Sequence, residues 1–273
     1  MNGSLVATTL IVTAAAAVRG TWSPCGLSMV SAINPLSERG RGNRYPLTVA
    51  WFIAGSVAGG LLLGGCAAVP AWLLRVLPDP AALLVAALGC LVTIAADRRV
   101  GGFALPSHPR QVNERWLMQY RRWLYASGFG FQIGTGFATY IMTAATYLLV
   151  FLAGLGGSPA FALLTGLVFG LVRGAAVLLS WRCRTPEALR ALHRRLDRAD
   201  PWSLRMVLAG QGLAGVWLAA AGGGWPAALV AGVAVTALVG SGRSQIGRSG
   251  SPVRGAGRRP AEHRVTRGRA SVP

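Results

Sequence analysis

Seven residues near the amino terminus, Arg19-Gly20-Thr21-Trp22-Ser23-Pro24-Cys25, combine a charge, two helix breakers and a thiol. They follow fifteen mostly apolar residues, and apolar sequence resumes at Gly26. A guanidinium can hold an anion, and a thiolate can exchange with a disulfide. Irregular backbone inside a membrane is tolerated only where protein or a water-filled cavity satisfies its polar groups. The segment therefore predicts a helix broken within a membrane, with a functional site that begins at the break.

A second embedded charge, Arg173, interrupts another apolar run. An ionisable side chain at such depth is uncommon and suggests function. All eight acidic residues fall in predicted loops, at segment boundaries or in the tail, so we expect no carboxylate partner for Arg19 or Arg173 within the membrane. Two interpretations follow. Either both arginines extend to the cytoplasmic interface, or they form an anionic-solute site with interrupted backbone at 20–26 and 128–136.

The second interpretation defines a set of candidate solute-binding residues, which supply guanidinium, hydroxyl, amide and freed backbone groups. The set consists of Arg19, Ser23, Pro24, Cys25, Gln132, Gly134, Thr135 and Arg173. Thr139 and Gln211 are further candidates for neutral hydrogen bonds to the solute.

Enzymatic chemistry, a metal site and a cofactor are not expected. The four cysteines, at 25, 66, 90 and 183, lack CxxC spacing, and the three histidines fall in loops and the tail. The sequence has no embedded acid pair, no Ser/His/Asp pattern and no phosphate loop. Cys25 is the one redox candidate, and the alternative is that it is a small buried hydrophobe.

The elements that must position these residues are transmembrane helices. Of the 273 residues, 53% are hydrophobic and 13% are charged, which is about half the charged fraction of a soluble domain. The apolar segments with the length of membrane spans are about 4–35, 46–77, 80–97, 124–155, 158–181, 204–222 and 225–241. The first, second and fourth exceed one straight span, and we expect breaks at Pro24, at Pro70 and among the glycines from 128 to 136.

The arginines predict the orientation of these spans. The loops at 36–46, 98–123 and 181–202 and the tail from 241 hold 23 of the 27 basic residues. The alternate loops hold only Arg75. The positive-inside rule then predicts an all-α polytopic membrane protein with about seven transmembrane helices over 1–241, its amino terminus outside and its carboxyl terminus cytoplasmic. No basic residue precedes the first apolar run, which favours a retained helix over a cleaved signal peptide.

The net charge of +19 indicates the partners. We expect the lipid bilayer, and anionic inner-leaflet lipids held by the Arg-rich loops and by a disordered tail at 242–273. Nucleic acid is not expected, because the tail has no aromatic residues to stack bases. Two loops are predicted to carry amphipathic helices, one at 112–124 and one that starts at Thr185-Pro186-Glu187. Each either anchors its loop or binds a partner.

Glycines at four-residue spacing are expected to let helices approach closely. They are Gly55 and Gly59, Gly60 and Gly64, and Gly166, Gly170 and Gly174. We expect packing within one bundle rather than a dimer interface.

A second motif, Gly128-Phe129-Gly130-Phe131-Gln132-Ile133-Gly134, opens the fourth apolar run much as the first motif interrupts the first. The first run is predicted to lead inward and the fourth outward. The units at 4–97 and 124–222 would then form a 3+3 inverted repeat, with one helix added. Such repeats are typical of secondary carriers, whose sites lie where the repeats meet.

The chain resembles the transmembrane electron-transfer proteins of the CcdA and DsbD type. Ser23-Pro24-Cys25 matches their first cysteine motif, and residues 128–131 match the start of their second. The Pro and Cys positions of that second motif hold Ile133 and Gly134. The resemblance implies a six-helix fold in the bacterial cytoplasmic membrane. It also implies two thiols that relay reducing equivalents outward from cytoplasmic thioredoxin.

The sequence leaves three functional hypotheses. The first is a carrier of a small solute, with an anion as the favoured class. The second is a thiol-disulfide conduit that uses Cys25 and a second thiol, whose Cα atoms must come within about 7 Å. The third is a non-transporting membrane assembly factor, whose contact surface would be the basic loops and tail.

Overall fold

The computed structural model describes residues 3–106 and 119–241, and these form helices, turns and loops without a strand. The α-helices of the described chain are α1 (Gly3–Arg19), α2 (Pro24–Ala32), α3 (Pro35–Gly40), α4 (Tyr45–Leu74), α5 (Asp79–Asp97), α6 (Arg122–Gly134), α7 (Ala145–Leu155), α8 (Pro159–Ala175) and α9 (Pro186–Ser241). Three 3₁₀ turns lie at Gly20–Trp22, Val100–Gly102 and Ala176–Ser180. Most of the predicted helix at 112–124, and the whole predicted tail at 242–273, lie outside the described residues.

Cap chemistry explains where several helices begin. The side chains of Ser23, Asn34 and Ser158 each accept a hydrogen bond from the backbone N–H three residues later. A proline follows each of the three at the first helical position. Proline fits there because its missing N–H would have no partner within the helix.

Among the described residues, five helical segments are long and apolar enough to cross a membrane. They are Gly3–Trp22, Tyr45–Leu74, Asp79–Asp97, Pro159–Ser180 and Pro186–Ser241. The prediction of a helical chain with several helices of membrane-spanning length is confirmed. The 56-residue α9 contains both of the last two predicted spans, and Gly224 divides them with a positive φ of 71°. It begins at Pro186, where the capping pattern at Thr185 predicts a start.

The expected break at Pro70 is wrong, because α4 continues through that residue to Leu74. The flanking Ala67 and Ala71 are buried in a small cluster with α7 and α8. An ideal Cβ on Gly154 would lie 3.4 Å from the Pro70 ring, so this part of α4 is held by its neighbours. Apolar helices tolerate an internal proline where packing and local adjustment satisfy the freed backbone groups.

The expected break at 128–136 lies later in the chain. Residues 128 to 134 belong to α6, and irregular backbone occupies 135–144 before α7 begins. Gly130 and Gly134 abut the α4 backbone at Phe52 and Ser56, where a Cβ would overlap a carbonyl oxygen. These glycines therefore serve close packing, and the chain turns at Gly136, whose φ is +68°.

The centre of the fold is α4, which makes its most extensive contacts with α6 and α8. Gly60 lies against Gly166 and Gly170, and Gly64 lies against Ala162 and Gly166. These contacts confirm that the spaced glycines pack within one chain. The buried apolar residues form one large cluster that includes α1, α5, α7 and α9, and a second around α2, α4 and α6.

We predict that Gly60→Ala destabilises the protein, because the new methyl group would overlap the Gly166 carbonyl. Overpacking of this kind costs about 1–3 kcal/mol. The matched control is Gly65→Ala, since nothing lies within 4 Å of a Cβ there and alanine favours helix. Thermal unfolding of the purified protein in detergent measures both. Equal melting temperatures for the two variants would contradict the packing.

Candidate functional site

The predicted break in the first apolar run is confirmed. After α1 ends at Arg19, the chain makes a 3₁₀ turn and Ser23 adopts an extended conformation, with φ −65° and ψ 153°. Pro24 restricts the residue before it to such conformations. The Ser23 Oγ then accepts a hydrogen bond from the Gly26 N–H at 3.0 Å, which starts α2. The sequence Ser-Pro therefore ends one helix and begins another.

Arg173 lies in this break. Its side chain is 4% exposed, and Nη2 donates a hydrogen bond to Ser23 Oγ at 3.2 Å. A Cβ added to Gly20 would overlap the guanidinium, so a larger residue there would force the Arg173 side chain to move. The guanidinium is therefore buried against the turn and does not extend into solvent.

The charge of Arg173 has no acidic neighbour at salt-bridge distance among residues 3–106 and 119–241. The adjacent N-terminus of α2 adds partial positive charge to the same place. A buried charge is costly unless it is paired and hydrogen-bonded. The break is therefore an electropositive site, and its chemistry suits an anion.

Arg19 is different, and the expectation that it lacks a carboxylate partner is wrong. Its Nη1 lies 2.5 Å from Asp200 Oδ1 and also donates to Ser203 Oγ at 2.5 Å. The Arg19 side chain is 5% exposed, whereas that of Asp200 is 48% exposed. Asp200 was assigned to a loop, but α9 runs on as a helix and carries it alongside the end of α1. Arg19 is thus neutralised.

A second bond joins the break to α9. The Trp22 indole Nε1 donates to the Leu196 carbonyl at 2.8 Å. Together with the Arg19–Asp200 pair, it links both ends of the 3₁₀ turn to one helix.

The candidates from the fourth apolar run have other immediate contacts. Gly134 and Gly170 abut the same Ser56 carbonyl, so Gly134 lies close to α8. Thr135 Oγ1 donates to the Gln132 carbonyl at 2.8 Å, a bond within its own turn. This half of the predicted set therefore packs on α4.

Asp97, which ends α5, is a partly buried acid whose bonds the sequence does not predict. Its carboxylate accepts bonds from Thr143 Oγ1 at 2.7 Å, the Ala144 N–H at 2.6 Å and Gln211 Nε2 at 3.3 Å. It fixes the start of α7 after the irregular segment at 135–144. Gln211, a candidate for the solute site, is thus bonded to Asp97. Sequence position at the end of an apolar run does not distinguish a partly buried carboxylate from a solvated one.

Glu38 is a second acid that the sequence assigned to a loop, and it is fully buried. It accepts bonds from Thr48 Oγ1 at 2.6 Å and from the Tyr125 hydroxyl at 2.8 and 2.9 Å. It also pairs with Arg41 at 2.7 Å. This hydrogen-bond network joins α3, α4 and α6.

A cleft of about 850 Å³ lies beside the break. Thr21 and Trp22 from the turn form part of its wall, and so do Val172 and Ala175, which flank Arg173 along α8. The lining is mostly apolar, with Arg182 and Arg195 among the remaining residues. Arg173 itself, which is buried, does not line this cleft.

None of the four cysteines, all of which the structure describes, is in a disulfide bond. Cys25 is buried and is the second residue of α2. Cys183 lies three residues after Ser180. The Ser180 hydroxyl donates a hydrogen bond to the Ile33 carbonyl, at the end of α2 opposite to Cys25. Burial raises the pKa of the Cys183 thiol, which disfavours the reactive thiolate there.

We predict that Asp200→Asn destabilises the protein, because it leaves the buried Arg19 charge uncompensated. Asp200 is 48% exposed, so we expect a cost of about 1–2 kcal/mol, below that of breaking a fully buried pair. Asp197→Asn is the control, since that carboxylate is exposed on the same helix. Thermal unfolding of both variants, and of Arg19→Gln with and without Asp200→Asn, measures the coupling between the pair. Additive effects in this cycle would contradict the ion pair.

Comparison with known proteins finds limited similarity. No family model matches the chain, and no solved structure matches it significantly. The chain is 27% identical to the methylamine utilization protein MauF of Methylophilus methylotrophus, over 59% of this chain and 58% of that protein. It is 30% identical to MauF of Paracoccus denitrificans, over 59% and 61% of the two chains. The chain thus spans about three fifths of the length of these curated relatives.

Proposed function

We propose that this protein is a membrane carrier for a small anionic solute, and that Arg173 binds the anion. The proposal includes seven membrane crossings in the bacterial cytoplasmic membrane, with the amino terminus outside. The observation that carries it is the buried Arg173 guanidinium, which has no carboxylate partner among the described residues. A bound anion would supply the missing negative charge.

The local geometry supports an anion in particular. The guanidinium and the N-terminus of α2 bring positive charge to one point, where Ser23 accepts a bond from each. Helix N-termini favour anions because their free N–H groups and the helix dipole point at the ligand. Carriers commonly bind solutes at such discontinuous helices.

Access to Arg173 is proposed to come from the cleft of about 850 Å³ beside the break. The bond from Trp22 to Leu196 and the pair between Arg19 and Asp200 hold the turn against α9. Movement of the turn away from α9 would open the space around Arg173. In this mechanism Arg19 positions the break, and Arg173 contacts the solute.

The relatives are named for methylamine utilization. An alkylamine is protonated near neutral pH, as the lysine side chain is. The buried guanidinium would repel such a cation. We therefore propose an anion, rather than methylammonium, as the solute of this chain.

One observation favours the thiol-disulfide conduit as a second candidate. Cys25 is buried at the N-terminus of α2, two residues after Ser23, which accepts a hydrogen bond from Arg173. Reactive cysteines are typically found at helix N-termini or beside basic groups. Under this alternative Arg173 would serve the thiol instead of a solute.

We predict that Arg173→Gln reduces anion uptake at least tenfold, because the binding charge is lost. Small anions such as chloride, sulfate, phosphate and acetate are first compared for thermal stabilisation of the purified protein. Uptake of the stabilising anion into proteoliposomes is then measured for the wild type and the variants. Arg190→Gln, an exposed substitution on α9, is the control and should retain uptake. Unchanged flux in a folded Arg173→Gln protein would refute the proposal.

The carrier and the conduit differ in their need for Cys25. We predict that Cys25→Ser retains anion uptake within twofold, since serine preserves the small buried side chain. Thiol alkylation in intact cells, with and without a reductant, measures the redox state of Cys25 in the wild type. The carrier predicts the same reduced thiol in both conditions. A thiol that becomes alkylated only after reduction would favour the conduit.

A further inference from the structure

A second cleft, of about 1070 Å³, lies on another part of the molecule. One wall comes from α3 and the start of α4, and the other comes from the end of the 3₁₀ turn at Ala176–Ser180 and the residues after it. Three arginines line it, namely Arg39, Arg44 and Arg184. None of them belongs to the candidate solute site.

The positive charge of this cleft is uncompensated. Its three arginines are exposed, and none forms an ion pair with a carboxylate in the described part of the chain. The acid next to Arg39 in sequence is Glu38, which is fully buried and bonded to Arg41, Thr48 and Tyr125. The cleft therefore presents three guanidinium groups to any ligand that enters it.

The start of α4 contributes to the same electrostatic field. This helix of 30 residues begins at Tyr45, and its N-cap residue Arg44 makes no side-chain cap hydrogen bond. The first turn of a helix carries partial positive charge on its free N–H groups. The helix end and the three arginines thus attract the same kind of ligand.

The remaining walls of the cleft are apolar and accessible. Leu47, Leu178 and Trp181 line it and are 44%, 45% and 56% exposed. They lie at or next to the ends of Tyr45–Leu74 and Pro159–Ser180, which are long and apolar enough to cross a membrane. Tryptophan and tyrosine are enriched where such helices reach the lipid head groups.

We propose that this cleft binds an anionic phospholipid, with the phosphate between the three arginines. The acyl chains lie along Leu47, Leu178 and Trp181. A free phosphate ion would use the arginines but would leave the apolar walls unoccupied. Basic pockets at the ends of transmembrane helices bind anionic lipid head groups by this combination. The site is separate from Arg173 and does not depend on anion transport.

The test compares three ligands with the purified full chain in a neutral detergent. They are phosphatidylglycerol, phosphatidylcholine and inorganic phosphate at equal concentration. We expect phosphatidylglycerol to raise the melting temperature by about 3 °C or more, which corresponds to a modest binding energy. The other two should shift it by less than a third of that. An equal shift with phosphatidylcholine, or with inorganic phosphate, would overturn the proposal.

Matched variants separate this cleft from general attraction between lipids and a basic protein. Arg39→Gln, Arg44→Gln and Arg184→Gln together should abolish the stabilisation by phosphatidylglycerol. The control combines Arg190→Gln, Arg194→Gln and Arg198→Gln, which removes the same charge from exposed positions on α9. It should retain the stabilisation. Equal losses in the two triple variants would refute a specific site.

Native mass spectrometry gives a second measurement that does not depend on the melting temperature. The wild type and the control should retain at least one more phosphatidylglycerol molecule than the cleft variant. The three substitutions are at exposed side chains, so all proteins should show the same helical circular dichroism. Equal lipid retention by the three proteins would overturn the proposal.

Discussion

The burial of one guanidinium in a broken helix is the constraint on which the surrounding structure depends. Arg173 needs an acceptor, which Ser23 supplies, and it needs space, which Gly20 supplies. Ser23 is available only because Pro24 keeps it extended and ends the preceding turn. The same hydroxyl accepts from Gly26 and starts α2. Three neighbouring residues thus serve the break and the buried charge together.

Arg19 and Arg173 look equivalent in the sequence, since both are charges in apolar runs. Asp200 and Ser203 satisfy Arg19, which becomes part of the attachment between the break and α9. Arg173 has no carboxylate at salt-bridge distance within 3–106 and 119–241, and it lies beside the positive end of α2. Under the proposed function the two arginines therefore have distinct roles, since Arg19 holds the turn and Arg173 attracts the ligand.

Local chemistry made much of the architecture predictable. The break at Ser23-Pro24, the start of α9 at Pro186 and the glycine packing all follow from residues close together in sequence. The helix breaks expected at Pro70 and at 128–136 are misplaced for one reason. Tertiary packing decides whether a proline or glycine interrupts a helix. The partner of Arg19 lies 181 residues away. No local sequence pattern shows that α9 places the Asp200 carboxylate beside Arg19.

The structure also changes the meaning of the Ser-Pro-Cys motif. In the resembling electron-transfer proteins this motif is associated with a thiol relay. Here Ser23 caps α2 and accepts a bond from Arg173, and Pro24 follows it at the first position of α2. The helix break at Ser23-Pro24 accommodates the Arg173 guanidinium, and this role does not require the Cys25 thiol. The second motif supports this view, because Gly134 stands at its cysteine position and packs against the α4 backbone. Glycine is required at that contact because any side chain would separate α6 from α4. The two motifs therefore share a role in helix packing and interruption, and the feature that sets the first apart is the buried charge beside it.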